Sequence, residues 1–364
     1  MAPREFRILA INPGSTSTKF GVFAGETALR TWSLRHSDDE LRPFKDRPIY
    51  DQKAFRAEAI ERELAAGGFA VQDLNATVGR GGLLPAMASG TYRVDEAMLE
   101  VLRQARRGEH ASNLGAVIAH EIARQAGAPA FIVDPVSVNE RLPKAMLSGS
   151  PLLDRGDFCH ALNSKAVARR YAREHGRPYA ELRLIVAHLG GGICISAHEN
   201  ARMIDATDAQ QEGPFSPERA GGVPALKLAR LCFSGRYDRR QIERMLVGEG
   251  GLSAYLGTTD LKEVERRIAA GDEKAALVFE AMAYQIGKEI AAMAAALEGR
   301  IDAIVLTGGM AHSEALVGRI EKAAGWIAPV TVYPGEEELL ALTEGVLRVL
   351  RGEETAKALG KGES

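Results

Sequence analysis

Three glycine-bearing segments carry residues suited to phosphate chemistry. Asn12-Pro13-Gly14-Ser15-Thr16-Ser17-Thr18-Lys19 lies between two apolar runs. Its hydroxyls, its close-approach glycine and its terminal lysine suit a phosphate cradle. The second glycine that a Walker loop places before its lysine is missing, and a plain hairpin turn accounts for the same residues. Gly190, Gly191 and Gly192 follow an apolar run that ends His188-Leu189. Consecutive glycines cost chain entropy on folding, so close backbone approach is their natural motive; His188 is then either a donor or a core histidine beside a sharp turn. Thr307, Gly308 and Gly309 close a third apolar run, 301–306. Ligands of α/β sheets gather outside strand carboxyl ends, although a left-handed turn into the next helix explains this segment too.

Single charged residues come next. Arg80 stands among glycines in 78–82, Arg219 ends the loop 213–219, and Asp134 ends an apolar run. A forked guanidinium matches phosphate and carboxylate alike; an arginine in a loop is equally at home in solvent.

Other chemistries find no support. His120-Glu121 lacks a second histidine at zinc-protease spacing. There is no Gly-x-Ser-x-Gly elbow and no complete dinucleotide-binding glycine turn. Aromatics are 6% and not interleaved with basic residues, which argues against single-strand nucleic-acid binding. The formal net charge of -2 gives no field for nucleic acid or an anionic membrane. An anionic ligand would therefore depend on local arginines and backbone N–H groups. Cys159, Cys194 and Cys232 are odd in number and at no metal or redox spacing, which predicts a reduced, cytoplasmic setting. The most apolar stretch, 290–297, is too short to span a bilayer.

The elements that must hold these residues follow from periodicity. Strands are predicted over 7–12, 18–24 and 28–34, and again over 184–189, 193–197 and 202–205. The two triplets share a pattern, as chance similarity or a duplicated domain would produce. Further strands are expected at 129–133 and 301–306. Helices are expected at 96–107, 113–125, 160–174, 224–233, 239–247, 261–270, 273–297, 314–324 and 337–350, with a frayed tail from Gly352. With 364 residues, two domains are expected. The boundary is placed at 176/177, near Gly176 and Pro178, giving an N-terminal lobe 1–176 and a C-terminal lobe 177–336. The C-terminal helix, 337–356, is expected to pack back on the first lobe. The fold class is α/β, two lobes with a cleft between them.

With these residues in view, the chain resembles the acetokinase family of the acetate and sugar kinase/Hsp70/actin superfamily, most of all its butyrate and branched-chain fatty acid kinases. The similarity runs through INPGSTSTKFGVF at 11–23, GTYRVDEAMLE at 90–100, GEHASNLGAVIAHEIA at 108–123, PAFIVDPVSVNE at 129–140 and CHALNSKAVARRYA at 159–172. It continues through AHLGGGI at 187–193, GPFSPERAGGVP at 213–224, VLTGGMA at 305–311 and YPGEEELLALTEG at 333–345. The order of so many blocks over nearly the whole chain is what makes it specific.

The resemblance implies two ribonuclease-H-like lobes with mixed sheets flanked by helices, and a kinase that moves the γ-phosphoryl of ATP, with Mg2+, onto a short-chain acid. Asn12, Gly14, Ser15, Ser17 and Lys19 match the first phosphate loop, His188 with Gly190, Gly191 and Gly192 the second, and Gly308 with Gly309 the adenosine side. Arg80, His160 and Arg219 match residues facing the transferred phosphoryl group. Asp134 matches an aspartate that positions substrate or metal, and Glu337 or Glu338 a glutamate linked to magnesium. Two positions depart from the pattern: Cys159, where phenylalanine is usual, and Gly82, where acetate kinases carry a bulkier residue. If both line the acyl pocket, they widen it for butyrate. An acetate, propionate or branched-chain acid kinase is the alternative; a sugar kinase or a non-enzymatic nucleotide-gated module is the more distant one. The partners implied are a small-molecule acid or its acyl phosphate, and a second copy of the chain in a dimer or larger assembly.

Overall fold

The computed structural model describes residues 5–360 of the chain. They form two packing units, one holding the chain up to Asn139 together with the segment from Glu337 onward, the other Glu140–Glu336.

Each unit is built on one mixed sheet. The first has β1 (Arg7–Pro13), β2 (Ser17–Ala24), β3 (Thr27–Arg35), β4 (Ala76–Arg80), β5 (Thr91–Arg93) and β6 (Ala130–Val133), in the spatial order β3-β2-β1-β4-β6-β5. The second has β7 (Leu184–Leu189), β8 (Ile193–Glu199), β9 (Arg202–Ala206), β10 (Ala303–Gly308) and β11 (Val330–Pro334), in the order β11-β10-β7-β8-β9. In both, an antiparallel meander (β1-β2-β3, β7-β8-β9) lies beside parallel strands (β1-β4-β6, β7-β10-β11). The shared order over both sheets favours the duplicated plan over chance likeness of short apolar runs.

The central strands are buried on both faces, which is why they read as continuous apolar runs. In β7, Ile185, Ala187 and Leu189 join the core under the helix Glu273–Ala296, with Phe279 and Ile286. The alternate residues Leu184 and Val186 pack with Ala168 and Tyr171 of the helix Ala161–Glu174. In β1, Leu9 and Ile11 share a core with Ile60 of the helix Lys53–Ala66 and Ile118 of the helix Asn113–Ala126. The helix Glu338–Leu350 also packs against β1 and β4.

Two expectations change, and four elements are added. The packing division falls at 139/140, not 176/177, because the helix Ala161–Glu174 belongs to the core of the second sheet. The described part of the tail, 352–360, is tied down: the Lys357 N–H donates to Thr91 O at 2.8 Å, and Lys357 O accepts from the Arg93 N–H at 2.8 Å; the last four residues of the expected tail lie outside the described residues. The helix Lys53–Ala66 and strands β4, β5 and β11 carry no reading from periodicity. In that helix the inward face consists of alanines, Ile60, Leu64 and the fully buried Arg56, so its apolar stripe is interrupted by a charge. No helix among the described residues is long and apolar enough to cross a membrane.

Candidate active site

In the first unit, the residues of interest collect at the carboxyl ends of three adjacent parallel strands. Asn12 is near the end of β1, Arg80 ends β4, and Asp134 follows β6. Side chains alternate along a strand. On β4, Gly79 meets the helix Asn113–Ala126, where a Cβ on Gly79 would lie 1.9 Å from Gly115 O. Arg80 therefore points to the opposite face, toward the start of the helix Glu338–Leu350. There the Glu338 carboxylate pairs with Arg80 and also accepts from Asn12 Nδ2.

The turn between β1 and β2 is closed by the Gly14 N–H donating to Ser17 O at 2.8 Å. Lys19 lies opposite Asn12 in the ladder and is exposed, as are Ser15 and Thr16. Asp134 is almost fully buried, adopts φ 39, and accepts from the Gly90 N–H at 2.7 Å. Left-handed backbone at a residue with a side chain is uncommon and gathers at functional sites.

In the second unit the same logic brings different chemistry. His188 shares the β7 face of Leu184 and Val186, covered by the helix Ala161–Glu174, and His160 is that helix's N-cap. The two imidazoles stack with centroids 3.8 Å apart and planes 11° from parallel. His188 Nε2 lies 3.2 Å from Glu336 Oε1, while its Nδ1 is buried with no hydrogen-bond partner.

Arg219 lies over the glycine turn after β7: a Cβ on Gly192 would sit 2.2 Å from Arg219 Nη1. That close approach explains one glycine of the three. Ser216 Oγ fixes the turn from the other side by donating to Gly191 O at 2.5 Å. Arg219 Nη1 donates to Ala209 O at 2.8 Å, and its Nε is buried without a partner. Burial draws the Arg219 pKa down, against the opposing pull of Glu218 and Asp208. Thr307, at the end of β10, is level with His188 in the parallel ladder. Gly308 takes φ 91, and a Cβ there would lie 2.4 Å from Leu189 O; Gly309 faces open space.

The structure gives the remaining candidates these surroundings. Gly82 opens no cavity toward the helix Asn113–Ala126, because Asn113 fills the place its side chain would take, with Oδ1 2.4 Å from an added Cβ. Cys159 is buried and free, and its thiol pKa is pushed up by its hydrogen bond with the Cys194 thiol and by burial. The carboxylates Asp134, Glu337 and Glu338 do not form a metal cage: no cluster of three or more metal-ligating side chains occurs among the described residues. Glu338 is engaged by Arg80 and Asn12, and Glu337 is exposed at the helix start.

Sequence reasoning missed Glu336 and Arg56. Glu336 is the member of the run 336–338 that meets His188, and adjacency to the expected glutamates was its only signal. Arg56 gave none.

Comparison with known proteins decides the family. The chain is 48% identical to butyrate kinase 2 of Clostridium acetobutylicum over 354 residues, covering 97% of this chain and 99% of that protein. The chain belongs to the acetokinase family. The model of the acetokinase family matches residues 155–324. Among solved structures, this chain resembles the acetate kinase of Porphyromonas gingivalis, with TM-score 0.77, 19% identity and coverage of 94% of this chain and 99% of that one. A propionate kinase of Francisella tularensis gives TM-score 0.74 at 18% identity, over 93% and 98% of the two chains. These two likenesses establish the acetokinase fold.

Proposed function

We propose that this member of the acetokinase family phosphorylates a short-chain fatty acid with ATP, butanoate + ATP = butanoyl phosphate + ADP, by direct in-line transfer. The observation that carries this reading is the end-to-end identity with a butyrate kinase. A carboxylate is already ionised at neutral pH, so no general base is needed. Catalysis then reduces to positioning and charge stabilisation.

In this reading Arg80, Arg219 and His160 offset the charge spread over the transferred phosphoryl oxygens. Buried Arg219, with its unpartnered Nε, is suited to that task. Asn12, Gly14, Ser15, Ser17 and Lys19 hold phosphate oxygens, as do His188, Gly190, Gly191 and Gly192. Gly308 and Gly309 serve the adenosine side, where the open space at Gly309 admits a ligand.

Magnesium supplies countercharge to the phosphates when bound. It is a cation that keeps several waters and takes only one or two protein carboxylates, so the lack of a protein cage fits it. Asp134 and Glu338 are the carboxylates assigned to it, with Glu337 the alternative to Glu338. Glu338 would be available to the metal only in place of its pairing with Arg80.

Cys159 remains the residue assigned to the acyl pocket, and the packing at Gly82 weakens the case for that glycine. We place the activity in the cytoplasm and assign a dimer or larger assembly, in keeping with the exposed Leu226 and Phe233 of the second unit.

The test is a hydroxamate assay with magnesium and ATP across acetate, propionate, butyrate and isobutyrate. We expect the highest kcat/KM for butyrate or its branched analogue. A preference for acetate counts out the chain-length assignment, and no acyl phosphate from any acid counts out the kinase.

A further inference from the structure

Arg56 is fully buried in the helix Lys53–Ala66 and spends its donors on the turn between β1 and β2. Its Nη1 donates to Gly14 O at 2.8 Å, Ser17 O at 3.0 Å and Thr18 Oγ1 at 3.1 Å. Its Nη2 donates to Ser15 O at 2.9 Å. Gln52 Oε1 accepts from Nε at 3.0 Å and from Nη2 at 2.9 Å, which sets the plane of the guanidinium. The remaining carbonyl of the turn, Thr16 O, accepts from the His36 N–H at 2.9 Å. Every carbonyl from Gly14 to Ser17 is thus occupied from within the protein.

The N–H groups behave differently. Ser15 and Thr16 are exposed, and among the described residues their N–H groups reach no protein acceptor. A turn whose carbonyls are tied inward and whose amides are left outward presents partial positive charge, as anion-binding nests do. Behind it sits a full positive charge. None of the hydrogen-bond partners of Arg56 is a carboxylate. Burial draws its pKa down only to about 10, so it stays protonated at neutral pH.

We propose that Arg56 is the positioning residue of this turn: it holds the carbonyls away from the nucleotide phosphates and places a fixed cation behind the amides that receive them. The inference rests on the kinase reading above and adds the residue that gives the first phosphate loop its shape and charge. Only arginine offers five donors in a rigid fork; lysine keeps the charge and loses the geometry.

The experiment uses the full chain with Arg56→Gln and Arg56→Lys, and reads two quantities. Calorimetric titration with ADP and magnesium measures nucleotide affinity without turnover, and steady-state assays separate KM for MgATP from KM for butyrate. We expect Arg56→Gln to weaken ADP about tenfold and to lower kcat/KM for MgATP about 100-fold. KM for butyrate should stay within about twofold. Arg56→Lys should recover about half of the lost affinity on a logarithmic scale.

A folded Arg56→Gln with unchanged ADP affinity overturns the proposal, as does equal damage to both substrates with no recovery in the lysine variant. Should Arg56→Gln fail to fold, Gln52→Leu carries the test, since Gln52 orients the guanidinium without itself contacting the turn. Its ADP affinity should fall about threefold, and no change refutes the role. A wild-type chain that binds ADP and phosphorylates no acid sinks the kinase reading alone, because the Arg56 variants are still scored on nucleotide binding.

Discussion

The two sheets repeat one plan, yet the same position in each is given different chemistry. In the first unit the helix Glu338–Leu350 covers the β1 face that carries Asn12, and its opening turn brings a carboxylate to Asn12 and Arg80. In the second the helix Ala161–Glu174 covers the β7 face that carries His188, and its N-cap brings an imidazole into a stack. The turns differ as well. After β1, hydroxyl residues are shaped by an arginine whose donors hold the turn's carbonyls; after β7, Gly192 makes room for an arginine. A repeated architecture therefore fixes where functional side chains emerge and leaves open which ones they are.

The largest expected effects test whether both units contribute to one reaction. Arg80→Ala and Arg219→Ala should each lower kcat about 10²–10³-fold, the loss seen when one donor to transition-state charge is removed. Circular dichroism and thermal unfolding should remain cooperative. Wild-type turnover in either variant would confine the chemistry to the other unit.

Gly192→Ala comes next. The added methyl collides with Arg219 Nη1 and displaces the guanidinium, so kcat should fall about 100-fold. KM for the acid should change less, and unaltered kcat would show that Arg219 can move aside at no cost.

A third comparison concerns stability. Each unit buries a histidine whose pKa is lowered chiefly by burial, His36 just after β3 in the first and His198 on β8 in the second. His198, bonded to Tyr179 and Ser196, is drawn down to about 3. The folded chain keeps it neutral while the unfolded chain protonates it near the ordinary value of 6.5. Stability from this group is complete above about pH 6.5 and declines as pH falls toward 3, by ~1.4 kcal/mol per pH unit. Between pH 7 and pH 5 the loss should be about 2 kcal/mol, read by urea unfolding. His198→Gln should remove that part of the slope, and an equal slope in the variant would refute the assignment.

The smallest effect is expected at Gly309. A Cβ there meets nothing within 4 Å, so Gly309→Ala should change Tm by less than about 2 °C. Any sizeable change in KM for MgATP would then report nucleotide contact rather than packing.

Much of this arrangement could be read along the chain. The strand Leu184–Leu189 announces itself by an almost unbroken apolar run, and Ile193–Glu199 by the alternation of Ile193, Ile195 and Ala197 with Cys194, Ser196 and His198. The candidate loops follow because glycine and small hydroxyl residues interrupt such runs. Strand β4 was obscured by Gly79, whose bare Cα is needed where Gly115 approaches and which has no β-forming side chain. Strand β5, Thr91–Arg93, is too short for a period to register.

Local pattern, in the end, specified the repeated meanders, the glycine turns and the arginines and histidines beside them, since these depend on neighbours within a few residues. Which partners those side chains meet depended on contacts between distant parts of the chain. Arg56 reaches Gly14 across 42 positions, and Asn12 reaches Glu338 across 326. No periodicity encodes such distances. They exist only once the helices settle on their sheets, because a buried guanidinium or carboxylate is stable only where folding supplies its acceptors and donors.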